Sequence, residues 1–145
     1  MIVVCDANIL VRAAWSLSGP AAALVARLAQ SPHQLVCSHV LLAEVERTLK
    51  APRLRQRHQL DDAAIERFIR ALELLADIVV VPVGRPPVVV GDPLDDHVVF
   101  TAEEHQADVI CTRDRHLFHP NVLAYCLQRR IRVLTDLDLL AELRQ

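Results

Sequence analysis

The first residues of the chain allow few readings. Ile2-Val3-Val4-Cys5 is continuously apolar and mostly β-branched, and the run ends abruptly at Asp6. A strand with one wet face alternates polar and apolar residues. A short run without alternation is a strand covered on both faces, as at the centre of a parallel sheet. The opening therefore predicts a central strand flanked by helices, with a carboxylate at its C-terminal end.

The rest of the chain supplies those helices. Ala7 to Trp15 reads as a short helix, and Ser18-Gly19-Pro20 as a break that starts a second one through Gln30, with Pro20 in its first turn. Leu35-Val36-Cys37 is a second strand. Ser38 can cap a helix in which Leu41, Val45 and Leu49 share one side and which Pro52 limits. From Asp61, the residues Ile65, Phe68, Ile69, Leu72 and Leu75 recur at helical spacing. Ile78 to Val81 reads as a strand, and Val88-Val89-Val90 as either a very short strand or an apolar plug. Gly91-Asp92-Pro93 introduces a helix from Leu94 to Gln106, followed by a strand at Asp108 to Thr112. A helix over Asn121 to Arg129, a last strand at Ile131 to Leu134 and a helix over Asp136 to Leu143 complete the pattern. This alternation predicts a three-layer α/β/α sandwich with a mainly parallel sheet of four or five strands, forming a single domain over residues 1–145.

Composition narrows the function classes. With 52% hydrophobic and 23% charged residues, the chain is neither disordered nor fibrous. Only Trp15, Tyr125 and three Phe are aromatic, which argues against base recognition by a row of stacked rings. A net charge of -2 gives no global attraction for nucleic acid. Any such contact must be local, and two basic stretches are available: Arg47, Lys50, Arg53, Arg55, Arg57 and His58, and then Arg113, Arg115 and His116. Cys5, Cys37, Cys111 and Cys126 have no ligand-pair spacing and read as small buried hydrophobes in a reducing cytoplasm. No apolar run reaches the roughly 18 residues of a membrane span, so the expectation is a soluble, cytoplasmic protein with no membrane partner.

The chemistry lies in the carboxylates. Asp6 closes the first strand, and Asp114 follows the strand ending at Thr112. In an open parallel sheet, ligands bind outside the carboxyl ends of the strands, so both can line one crevice. Asp96, or Asp92 in the loop before it, lies where the returning helix begins, on the same edge. Glu44 reaches that edge if its side chain points inward. Like charges so close repel each other unless cations neutralise them, and hard oxygen ligands select Mg²⁺ or Mn²⁺. Such ions serve phosphodiester hydrolysis. Asn8 can orient Asp6 or hold a water, and Thr112 can do the same for Asp114. His97, His105 and His116 lack zinc-like spacing and are assigned to the surface or to support of the acidic residues. Taken singly, each carboxylate has an ordinary reading as a cap, turn or boundary residue.

In order, these pieces resemble the PIN domain, and within it the proteins identified as toxin components of prokaryotic toxin–antitoxin systems. Val3-Val-Cys-Asp6-Ala-Asn8-Ile-Leu10 resembles the family's opening, and Ser38 to Val45 its serine-to-glutamate helix. Asp92-Pro-Leu-Asp95-Asp96 resembles its third acidic element, and Ala107 to Leu117 its strand ending in Thr-x-Asp. The resemblance implies that Asp6, Glu44, Asp96 and Asp114 bind Mg²⁺ or Mn²⁺ and carry catalysis, with Asn8, Asp92 and Thr112 in support. Asp96 is preferred to Asp95 because it stands 18 residues before Asp114, the separation expected of the family. It further implies hydrolysis of single-stranded or loop RNA, a homodimer and a cognate antitoxin protein. His116, where members often carry an acid, and Gln106, where they often carry glycine, depart from the pattern. Two other readings compete: a non-catalytic RNA- or partner-binding scaffold, and an aspartyl-nucleophile phosphatase. Against the phosphatase stand the Asn at position 8 and the presence of Lys50 as the only lysine.

Overall fold

In the computed structural model, which describes residues 1–145, five strands form one sheet in the order β3-β2-β1-β4-β5. The strands are β1 (Ile2–Cys5), β2 (Gln34–Ser38), β3 (Asp77–Val79), β4 (Val109–Cys111) and β5 (Arg132–Leu134), and all four pairings are parallel. β1 is the central strand, as its unbroken apolar run requires. Val3, Val4 and Cys5 have no exposed surface, and each valine so buried contributes about 1.5–3 kcal/mol of transfer free energy. Helices layer on both faces, giving the α/β/α sandwich.

Between β1 and β2 lie α1 (Ala7–Trp15) and α2 (Pro20–Leu28), with Pro20 at the first helical position of α2. After β2, the Ser38 hydroxyl accepts the Leu41 N–H at 3.1 Å and caps α3 (His39–Lys50). Pro52 does end α3, as its position predicts, but it also opens a further helix, α4 (Pro52–His58). Proline has no N–H to lose at a helix start, so the same residue that stops one helix can begin the next. α4 ends where Gln59 takes a left-handed conformation, with φ 57°. α5 (Asp62–Leu75) is capped by Asp61 and leads into β3.

The expected helix over 94–106 divides into a 3-10 turn at Pro93–Asp95 and α6 (Asp96–Glu104), which returns the chain to β4. The Val88 to Val90 segment is a plug rather than a strand: Val89 is fully buried between exposed or half-exposed neighbours. α7 (Pro120–Gln128) and α8 (Asp136–Leu143) complete the fold. All four cysteines are free and buried, and burial pushes the Cys37 thiol up to about 12, so it offers no thiolate to a metal.

The strand order fixes where a ligand can sit. From β1 the chain moves one way to β2, and β4 lies on the other side, so the sheet's switch point falls between β1 and β4. Cys5 pairs with Cys111 across that boundary, and both strands then end together. The crevice beyond them receives Asp6 from one strand and Thr112 to Asp114 from the other.

Candidate metal centre

Asp6 is held from three sides. Its Oδ1 accepts the Ala7 N–H at 2.7 Å, and its Oδ2 accepts the Thr112 hydroxyl at 2.7 Å and the Asn8 amide at 3.0 Å. Asn8 also donates to Thr112 Oγ1 at 3.3 Å, and its carbonyl accepts the Arg113 N–H at 3.2 Å. Asn8 and Thr112 thus clamp the ends of β1 and β4 together and orient one carboxylate. Burial raises the Asp6 carboxyl, the Thr112 and Ala7 hydrogen bonds act against that, and the net displacement is upward.

A cleft of about 330 Å³ opens beside it, and its acidic lining is Asp6, Glu44, Asp95 and Asp114. Glu44 does point inward from α3. Its Oε2 lies 2.9 Å from His97 Nε2 on α6, a partner 53 residues away that sequence spacing does not reveal. Thr112 sits behind Asp6, fully buried.

The acid from this segment that lines the cleft is Asp95, where the resemblance implies Asp96. Asp96 turns out of the cleft, and its Oδ1 accepts the N–H groups of Val88 at 2.9 Å and Val89 at 2.7 Å, pinning the plug. Asp95 is 8% exposed, and its Oδ2 is buried without a hydrogen-bond partner. The reason is the 3-10 turn that Pro93 begins: its tighter pitch rotates Asp95 toward the strand ends and leaves Asp96 as the first residue of α6.

Asp92 and His116 complete a tighter group. One ligand atom from each of Asp92, Asp95, Asp114 and His116 lies within 4.8 Å of the others. The Asp114 Oδ1 accepts the His116 N–H at 2.9 Å and lies 3.0 Å from its Nδ1. His116, assigned to the surface or to support of the acidic residues, takes the second role: half-exposed, it stands against Asp114 in this group. Gly91 makes room for it, since a Cβ there would lie 2.6 Å from His116 Cδ2. Asp92 caps the 3-10 turn by accepting the Leu94 N–H at 3.2 Å.

The electrostatics are those of a site short of positive charge. Burial first, then the neighbouring Asp114, Asp6 and Asp92 carboxylates, push Asp95 up to about 8. Burial acts upward on Asp114 too, but the proton held on Asp95 and the contacts from His116 bring it below the ordinary carboxylate range. A raised Asp95 carboxyl beside a lowered Asp114, with an unpartnered buried oxygen among two further ligating groups, Asp92 and His116, fits a divalent cation that would displace the proton on Asp95.

The family model described as the PIN domain matches residues 2–116, which takes in Asp6, Glu44, Asp95 and Asp114. The chain belongs to the PIN domain family. No curated protein and no solved structure matches it. Within the PIN domain match lie all the groups that line the acidic cleft; α7, β5 and α8 follow it.

Proposed function

We propose that this PIN domain is a metal-dependent endoribonuclease that hydrolyses phosphodiester bonds in single-stranded or loop RNA. The observation that carries this reading is Asp95: a buried carboxylate with an unpartnered oxygen, wedged among Asp92, Asp114 and His116 at the mouth of a cleft shared with Asp6 and Glu44. Such an arrangement is unfavourable without a cation and serves no packing role. Bound Mg²⁺ or Mn²⁺ would supply polarisation of a phosphoryl oxygen, activation of water and stabilisation of the leaving oxygen.

The protein's own groups have distinct tasks in this proposal. Asp6, fixed by Ala7, Asn8 and Thr112, and Asp95 with Asp114 would hold the ion, and Asp92 and His116 would add further donors. Glu44 has one oxygen engaged by His97, which leaves Oε1 to orient an attacking water and receive its proton. RNA rather than DNA, a toxin role, a homodimer and a cognate antitoxin that covers the cleft are further parts of the proposal, and they rest on the resemblance to toxin components. Light scattering at twice the 16.2 kDa chain mass would support the homodimer.

The test is cleavage of an unstructured RNA and its DNA counterpart by wild type and Asp95→Asn in Mg²⁺ or Mn²⁺, with EDTA as control. Metal-dependent cleavage of RNA that is lost in the variant is the expected result. Equal cleavage by both proteins would remove Asp95 from the site. Metal binding by calorimetry without cleavage of any RNA would make the chain a binding scaffold.

A further inference from the structure

One face of α1 continues the cleft away from the carboxylates. Asn8, Val11, Arg12 and Trp15 stand at helical spacing, and all four line the cleft that holds Asp6 and Asp95. Arg12 is the only cationic side chain among the cleft-lining residues, is exposed, and forms no ion pair. Trp15 is 39% exposed, although a tryptophan ring is costly to leave in water. Beyond them lies a second cavity of about 300 Å³, in the corner where α1 ends and α2 begins, again lined by Arg12 and Trp15 together with Gly19 and Pro20. Its buried acid, Asp136, is already neutralised by a two-pronged pairing with Arg113 at 2.6 and 3.0 Å. Arg12 and Trp15 thus form the partition between the acidic cleft and a neighbouring, less acidic recess.

We propose that Arg12 and Trp15 are the substrate track of this enzyme: Arg12 pairs with a backbone phosphate next to the scissile one, and Trp15 stacks on a base whose edge enters the recess between α1 and α2. The inference rests on the nuclease reading above and adds where the strand runs. Charge selects the occupant. A lone unpaired guanidinium beside four carboxylates suits a polyanion whose neighbouring phosphate is held by the metal centre, and an exposed ring beside it suits the flat face of a nucleobase. Distance sets the register. Asn8 to Trp15 spans roughly 10 Å along the helix axis at 1.5 Å per residue, or about three stacked nucleotides at ~3.4 Å each. The stacked base belongs to a nucleotide two or three positions from the cleaved bond. A single ring reads one base, so the preference it confers is for an unpaired nucleotide rather than for a long sequence.

Trp15 is the only tryptophan, which makes the track directly observable. The full chain in Mg²⁺ is titrated with a 5′-phosphorylated ribotrinucleotide and with an otherwise identical trimer lacking its bases, while Trp15 emission is followed. The base-bearing trimer should quench the emission saturably, and the abasic trimer should leave it unchanged and bind about tenfold more weakly. By anisotropy of a labelled trimer, Trp15→Ala should bring the affinity for the base-bearing trimer down to that for the abasic one. Arg12→Ala should lower the salt slope of log K by about 0.7, the share of one single-strand phosphate. Circular dichroism of both variants confirms folding. Unquenched emission, or full affinity in Trp15→Ala, overturns the track. A parallel cleavage assay separates the two readings: cleavage without quenching discards the track and keeps the nuclease, whereas quenching without cleavage keeps the track as a nucleic-acid site and discards the nuclease.

Discussion

The carboxyls of Asp95 and Asp114 offer oxygens within 4.8 Å of each other. Burial and the negative charge around it push Asp95 up to about 8, while the contacts of Asp95 and His116, acting against burial, bring Asp114 below the ordinary carboxylate range. In the unfolded chain Asp95 titrates near its ordinary value of about 4. Between that value and about 8 the folded state binds more protons than the unfolded one, so metal-free stability falls as pH rises across this window. The raised Asp6 carboxyl acts in the same direction. The lowered Asp114 contributes stability that is lost only as pH falls through its folded value, below the window. The metal-free melting temperature should drop by a few degrees from about pH 5 to about pH 8. Asp95→Asn should flatten the slope, and Mg²⁺ affinity should rise with pH over the same range because the ion displaces the proton. A melting temperature that rises with pH in EDTA would contradict this account of the pair.

Asp95 and Asp96 face in opposite directions, and their variants should separate accordingly. Asp96→Ala leaves the N–H groups of Val88 and Val89 without their acceptor and loosens the buried Val89 plug, at a cost of about 1–3 kcal/mol in stability. Cleavage per folded molecule should persist. Asp95→Asn keeps the neutral form that burial and the surrounding carboxylates impose on Asp95 below about pH 8, so stability at neutral pH should hold while metal-dependent cleavage disappears. Thermal unfolding measured beside cleavage checks both, and the reverse pattern would restore Asp96 to the metal centre.

The difference between these neighbours shows where sequence reading reaches its limit. The apolar run ending at Asp6, the Ser38 cap and the strand before Thr112 each rest on local chemistry, and each stands where its pattern puts it. The direction of Asp95 depends on a 3-10 turn joined to α6, where a change of pitch over three residues decides which carboxylate enters the cleft. Spacing counts residues and is blind to that rotation. Glu44 is settled by His97, and Asp114 by His116 against Gly91, both contacts between side chains brought together by folding. α4 was hidden because Pro52 is an equally good stop and start. Its seven residues, with no fully buried side chain, leave no apolar stripe to read.

α4 also sorts the basic stretch. It contributes Leu54 to the cleft wall, and Arg55 is tied to Asp62 on α5. Arg53 and Arg57, four residues apart on the same helix, are exposed and without ion pairs. Replacing both with Ser should weaken single-stranded RNA binding and reduce its salt slope by up to about 1.4, two single-strand phosphates, with folding intact. Arg55→Ala should leave the slope unchanged and act only on the α4–α5 junction. An unaltered slope in the double variant would make Arg53 and Arg57 ordinary solvated surface.

Gly91 and His116 should behave as one unit. Gly91 takes no special backbone conformation; its constraint is space, because a methyl group there would lie 2.6 Å from His116 Cδ2 and force the ring away. The moved ring loses its 3.0 Å contact with Asp114 Oδ1 and draws a donor out of the cluster. Gly91→Ala should therefore lower Mg²⁺ affinity by up to about tenfold, the lower end of what losing a group that orients a metal ligand costs. His116→Ala should cost a similar amount, with the secondary structure unchanged by circular dichroism. Because both act through the same ring, the double variant should be no worse than His116→Ala alone. Calorimetric titration of the four proteins closes the cycle: penalties that add would show that Gly91 shapes the metal centre by another route, through the Asp92 turn that follows it.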